Sequence, residues 1–199
     1  MGSPAPEDMK GRFARLISVI TYAPLLSIPI FLIINYFSTE ESAFLSISLI
    51  SIVFAAILPL SIVFLWVSLR KESDKDIPKR EDRSYPLIFV ILSYLIGTLV
   101  LIAFQAPLIT IGLMFCYFSN TLVIFLINLH WKISIHSMGV AGPAVAMIFS
   151  FGYLGAISGL FIPLVMWSRV HLKKHTVSQV IAGALLGLIL TTIQLYLLL

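Results

Sequence analysis

The chain has 199 residues, 59% of them apolar and only 11% charged, with a net charge of +4. A soluble domain carries roughly a quarter charged residues. The composition therefore excludes an ordinary water-soluble enzyme and points to a polytopic membrane protein built as one domain. The basic residues sit in short loops, so the positive charge reads as membrane topology and not as nucleic-acid binding.

In chain order, residues 1–12 read as a polar tail, followed by a single membrane domain over 13–199. The opening MGSPAPEDMKGRFAR has no apolar signal-peptide core and lacks the Ser or Thr of a myristoylation signal. The first apolar run is 13–37, with Pro24 and Pro29 as expected kinks. An acidic turn at 38–42 leads to the second run, 43–69. The longest polar stretch, RKESDKDIPKREDRSY, covers 70–85. The third run is 86–104, a turn follows at Gln105-Ala106-Pro107, and the fourth run is 108–129. Each run is roughly 19–27 residues, against the ~20 a helix needs to cross. The single Cys116 lies in the fourth run and has no disulfide partner in the chain.

A second polar interruption, HWKISIHS, covers 130–137. The next segment, 138–167, fits either one long helix or two short ones, with Gly152-Tyr153-Leu154-Gly155 as the turn of a hairpin. The last run is 177–199. Charge decides between the two. All 13 Lys and Arg residues fall at 10–15, 70–83, 132 and 169–174. A hairpin puts all four places on one side, and a single crossing sends the last cluster across alone. The expected architecture is an all-α helical bundle of about six transmembrane helices. Its termini lie on opposite sides, with the N-terminus and the basic loops in the cytoplasm.

The stretch 168–183, SRVHLKKHTVSQVIAG, concentrates function. Arg169, His171, Lys173, Lys174 and His175 follow one another there, and no acid occurs after Asp82. Such a cluster suits an anionic ligand such as phosphate, or simply anchors a helix end at the membrane face. His175 and Gln179 share one helix face. His171 and His175 also have helical i, i+4 spacing, but no carboxylate lies near them in sequence and no HExxH motif is present, which argues against a metal site. Gly155 and Gly159, then Gly183 and Gly187, recur at four-residue spacing and read as close helix packing. The aromatics read as lipid-facing or core residues.

Ser168-Arg169, five residues, His175, three residues and Gln179 resemble the third motif, SR-x5-H-x3-D, of the type 2 phosphatidic acid phosphatase (PAP2) superfamily, with Gln in place of Asp. Ser134, His136 and Ser137 resemble its second motif, PSGH followed by Ser or Thr, with Ile133 for Pro and Ile135 for Gly. Its first motif, K-x6-RP, is not reproduced in spacing. Arg83 lies closest to the start of the third run, and Lys79 one helical turn earlier. The resemblance covers roughly residues 70–187.

The resemblance implies a metal-independent lipid phosphatase, with no cofactor, acting on a phospholipid or polyprenyl phosphate or diphosphate. His175 would be the nucleophile, His136 the proton donor to the leaving group, and Gln179 would orient His175. Arg169, Arg83, Lys79, Ser134 and Ser168 would hold the phosphate. The implied partners are the lipid phosphate and the bilayer, with no nucleic acid. Because Gln cannot supply the negative charge of Asp, a catalytically weak or inactive relative that binds anionic lipid head groups is the alternative. A transporter or channel is disfavoured, since no ionisable residue lies in the middle of a run.

Overall fold

The structure, a computed structural model, describes residues 8–70 and 84–199, and every regular element among them is helical. The loop that carries Lys79 and Arg83 lies outside the described residues, so the two assignments made there gain no geometry.

The first apolar run is not one helix. It divides into α1, Met9–Ile20, and α2, Ala23–Ser38, bent by 55°. The break has a local cause. Pro24 lies in the first turn of α2, where a missing N–H is tolerated, and the N-cap Tyr22 just before that turn is in extended backbone. Pro29 stays inside α2. Helix also begins within the expected tail: Asp8 caps α1 by accepting a hydrogen bond from Gly11 N at 2.8 Å.

The second run is helical from end to end. Helices α3, Glu41–Ile52, and α4, Leu58–Arg70, are joined by one π turn, Val53–Ile57. Pro59 explains the wider turn. Leu58 N–H reaches back to Val53 O, which leaves Phe54 O facing a proline that has no N–H to offer. Ser93 Oγ, on the next helix of the chain, donates to Phe54 O at 2.8 Å and fills that gap. Ser93→Ala is expected to lower stability by about 1 kcal/mol, read as a lower thermal unfolding midpoint in detergent. An unchanged midpoint would mean that another group serves the carbonyl.

Helices α5, Ser84–Ala103, and α6, Leu108–Asn128, follow as a pair. Helix α7, Ile135–Phe151, then begins the hairpin expected from the charge rule. Gly152 takes φ +60° in its turn, a conformation that side chains resist. The chain returns through a short 3-10 segment, Gly155–Leu160, and α8, Phe161–His171. Gly155 lies so close to Met147 O that any Cβ would collide with it, whereas nothing lies within 4 Å of a Cβ at Gly159. Of that glycine pair, only Gly155 packs. Helix α9, Val177–Leu198, closes the bundle.

Among the described residues, four helical stretches are long and apolar enough to cross a membrane: Glu41–Leu69, Tyr85–Ala103, Leu108–Asn128 and Val177–Leu198. The bent α1–α2 pair makes a fifth if counted as one span. Phe31, Leu101, Leu113, Met114 and Leu195 fill the interior. Two buried amides tie the helices crosswise. Asn35 accepts from Thr110 at 2.6 Å and donates to Ser48 at 3.3 Å, linking α2, α3 and α6. Asn120 donates to Thr191 at 2.8 Å and accepts from Gln194 at 3.2 Å, linking α6 and α9. Away from water, such bonds favour one helix arrangement over its neighbours.

Candidate active site

The end of α8 is built by its own backbone. Lys173 N–H bonds to Val170 O at 2.9 Å, and Lys174 N–H reaches Arg169 O at 3.0 Å. With Lys173 at φ +54°, this is the double hydrogen bond of a Schellman cap, at a position usually given to glycine. His175 N–H also bonds to Arg169 O, at 3.3 Å. The reversal therefore fixes His175 relative to Arg169, although neither lies in the interior of a long helix.

The first turn of α9 then fixes the His175 ring. Thr176 and Gln179 form a capping box. Gln179 N–H donates to Thr176 Oγ1 at 3.4 Å, and Thr176 N–H donates to Gln179 Oε1 at 3.2 Å. Because a backbone N–H points at it, that atom of Gln179 must be the oxygen. It lies 3.0 Å from His175 Nδ1. Nδ1 must then carry the hydrogen, which leaves the lone pair of the neutral ring on Nε2.

The third component comes from α7. Ser134 caps this helix, accepting from Ser137 N at 3.3 Å and from Ser137 Oγ at 3.0 Å. Ser134 N–H in turn donates to Gln179 O at 3.2 Å, which ties the start of α7 to the start of α9. Gly183 makes this approach feasible, since any Cβ there would run into Ser134 O. One turn further, a Cβ at Gly187 would meet Met138 O at 2.8 Å. The pair Gly183 and Gly187 thus packs against α7 as the spacing suggested. His136 lies in the first turn of α7, with its ring 5.3 Å from that of Tyr22.

His136, Arg169 and His175 line one cavity of about 120 Å³. All three are buried, with Arg169 only 1% exposed. Arg169 Nη1 donates to Ser18 Oγ of α1 at 2.7 Å. Apolar side chains of α4 and α5 complete the lining, among them Pro59, Val63, Leu87 and Val90. The cavity thus combines two imidazoles and a guanidinium with a hydrocarbon surface.

The two predicted serines are placed elsewhere. Ser134 and Ser168 are fully buried and are not among the residues that line the cavity. Ser134 is occupied as a helix cap, and Ser168 Oγ donates to Ala14 O at 2.6 Å. Both hydroxyls are engaged in holding the frame around the cavity. Gln179 is not a lining residue; its side chain touches the lining at His175. His171 is exposed and stacks on Trp167, with ring centroids 5.1 Å apart.

Three tyrosines went unnoticed in the sequence. Tyr22, Tyr94 and Tyr117 all line the cavity, and the Tyr94 and Tyr117 rings lie 5.3 Å apart. Tyr94 and Tyr117 stand alone within apolar runs, where a phenol resembles any other core aromatic. No family model, curated protein or solved structure matches the chain.

Proposed function

We propose that the chain is a membrane lipid phosphatase that works through a phospho-histidine. One observation carries this reading. His136 and the pair Arg169 and His175 come from two separate segments, in the order of the motifs they resemble, and they line one cavity that is otherwise largely apolar. An amphiphile with a phosphate head matches that lining: anionic oxygens against the guanidinium, hydrocarbon against α4 and α5.

The chemistry follows from the ring orientation. His175 Nε2 uses its lone pair to attack phosphorus, and the bond from phosphorus to the ester oxygen breaks. His136 gives its proton to the leaving oxygen, so the lipid departs as an alcohol, or as a monophosphate if the substrate is a diphosphate. Water then attacks the phospho-histidine, gives its proton to His136 and releases inorganic phosphate. Arg169 holds the oxygens as charge moves onto them. Gln179 keeps Nδ1 protonated and Nε2 aimed for attack.

The same reading uses the hairpin as two further crossings. Helix α7 has 17 residues, and the return path has 6 residues of 3-10 helix and 11 of α-helix. Each path is about 25–28 Å long, close to a ~30 Å hydrocarbon core. With the bent pair as one span, the count becomes seven instead of six. An odd number is what termini on opposite faces require. The site then lies at the basic face, which the charge rule makes cytoplasmic.

The test is phosphate release by the purified protein in detergent with EDTA present. The substrates are phosphatidic acid, phosphatidylglycerol phosphate, and polyprenyl phosphates and diphosphates. Release is expected from at least one, and Arg169→Lys should lower it roughly 10–100-fold, since an ammonium cannot bridge two oxygens as a guanidinium does. No release from any of them by the native chain would defeat the enzymatic reading. The neutral Gln179 favours a second reading, in which the cavity holds a lipid phosphate without turning it over.

A further inference from the structure

Helix α1 has three chemically distinct sides. Gly11, Ala14 and Ile17 are buried against the protein. Met9, Phe13, Leu16 and Ile20 share a second side and are 51–86% exposed. Arg12 and Arg15 lie on the third, with Val19 between them, and all three are exposed. The helix leaves the line of α2 by 55°, at the end of the bundle where Arg169 and His175 lie. We propose that the outer surface of α1 binds anionic phospholipid, separately from the cavity, with Phe13, Leu16 and Ile20 in the acyl region and Arg12 and Arg15 at the head groups.

Two observations select lipid as the occupant. The apolar side of α1 is continuous with the exposed apolar surface of α8, because Phe13 packs on Trp167 at 6.0 Å and Trp167 is itself 39% exposed. The arginines then border this apolar strip, the arrangement of a helix that lies in a membrane interface and prefers anionic head groups. The surface also connects to the site. Ala14 O accepts from Ser168 Oγ at 2.6 Å and Ser18 Oγ accepts from Arg169 Nη1 at 2.7 Å, so the inner side of α1 is one hydrogen bond from a residue that lines the cavity.

Trp167 serves as a built-in reporter. The chain has three tryptophans, and a Trp66→Phe/Trp131→Phe background leaves Trp167 alone. The full-length protein is reconstituted in bilayers with either brominated phosphatidylglycerol or brominated phosphatidylcholine, whose bromines quench indole fluorescence. Phosphatidylglycerol is expected to be preferred at Trp167 by roughly 10-fold, falling to near parity in Arg12→Gln/Arg15→Gln and returning in Arg12→Lys/Arg15→Lys. Equal quenching by both lipids in the native chain overturns the proposal, as does a preference that survives the double Gln variant. Quenching by neither lipid would mean that another protein surface covers α1, and also overturns it. Fluorescence needs no turnover, so the outcome is independent of whether the cavity is a phosphatase site.

Discussion

Gln179→Glu is expected to release phosphate roughly 10-fold faster than the native chain, and His175→Ala to release none above background. The first part follows from geometry. Glutamate has the length of glutamine, so a carboxylate oxygen would keep its place 3.0 Å from His175 Nδ1 and 3.2 Å from Thr176 N. The capping box survives, and a negative charge in the first turn of α9 adds about 0.5 kcal/mol of favourable interaction with the helix N-terminus. What changes is electrostatic. An amide oxygen orients the imidazole, but only a carboxylate stabilises the positive charge that the ring acquires when it attacks phosphorus. Gln179→Asp restores the residue of the family motif but shortens the side chain by about 1.5 Å. From the position that Gln179 occupies, aspartate reaches Nδ1 less well, and its gain should be smaller. Phosphate release from one lipid phosphate, with EDTA present, orders the three chains. Glu no faster than Gln would show that the missing charge does not limit the rate. Release by His175→Ala equal to the native chain would remove His175 as nucleophile. Silence from the native chain with activity in Gln179→Glu would favour the binding reading over turnover.

Much of this arrangement was legible because the polar residues are so few. In a chain this apolar, the interruptions at 130–137 and 168–179 stand out, and the charge rule assigned both to one end of the bundle, where the bond from Ser134 N to Gln179 O joins them. The hairpin over 135–171 followed from the same charges, and Gly152 marked its turn. Local chemistry was harder to read. Ser134 and Ser168 look like phosphate donors in a motif, yet a serine before a helix is first of all a cap, and one deep in a helix end finds the nearest carbonyl. The break at Thr21–Tyr22 was hidden because hydropathy is continuous across it, and a kink was expected at either proline. The π turn was hidden for the same reason. The role of α1 depends on which of its residues meet α8, a long-range contact that no local pattern contains. Tyr94 and Tyr117 converge from two helices and Tyr22 from the break between α1 and α2, and local periodicity gives no sign of it.

Gly183→Ala should lower phosphate release by about 100-fold while the bundle remains folded. The start of α7 rests on the start of α9 through one hydrogen bond, Ser134 N to Gln179 O at 3.2 Å, and through the bare backbone of Gly183 beneath Ser134 O. A methyl group there collides with a backbone carbonyl, which cannot rotate aside as a side chain can. The two helices must separate, and overpacking of this kind costs typically 1–3 kcal/mol. The separation acts directly on the site, because His136 lies two residues beyond Ser134 and His175 four residues before Gln179. Attack at phosphorus and protonation of the leaving oxygen require both imidazoles on one substrate, and a displacement near 1 Å is enough to lose two orders of magnitude in rate. Gly159→Ala supplies the control, since among the described residues nothing lies within 4 Å of its Cβ and it does not line the cavity. That variant should match the native chain in both thermal midpoint and phosphate release. If Gly183→Ala unfolds at a modestly lower temperature yet loses most of its rate, the spacing of α7 and α9 sets the spacing of the two histidines. If rate and midpoint both stay native, α7 tolerates the shift and the histidines are aligned by the Ser134–Gln179 bond instead.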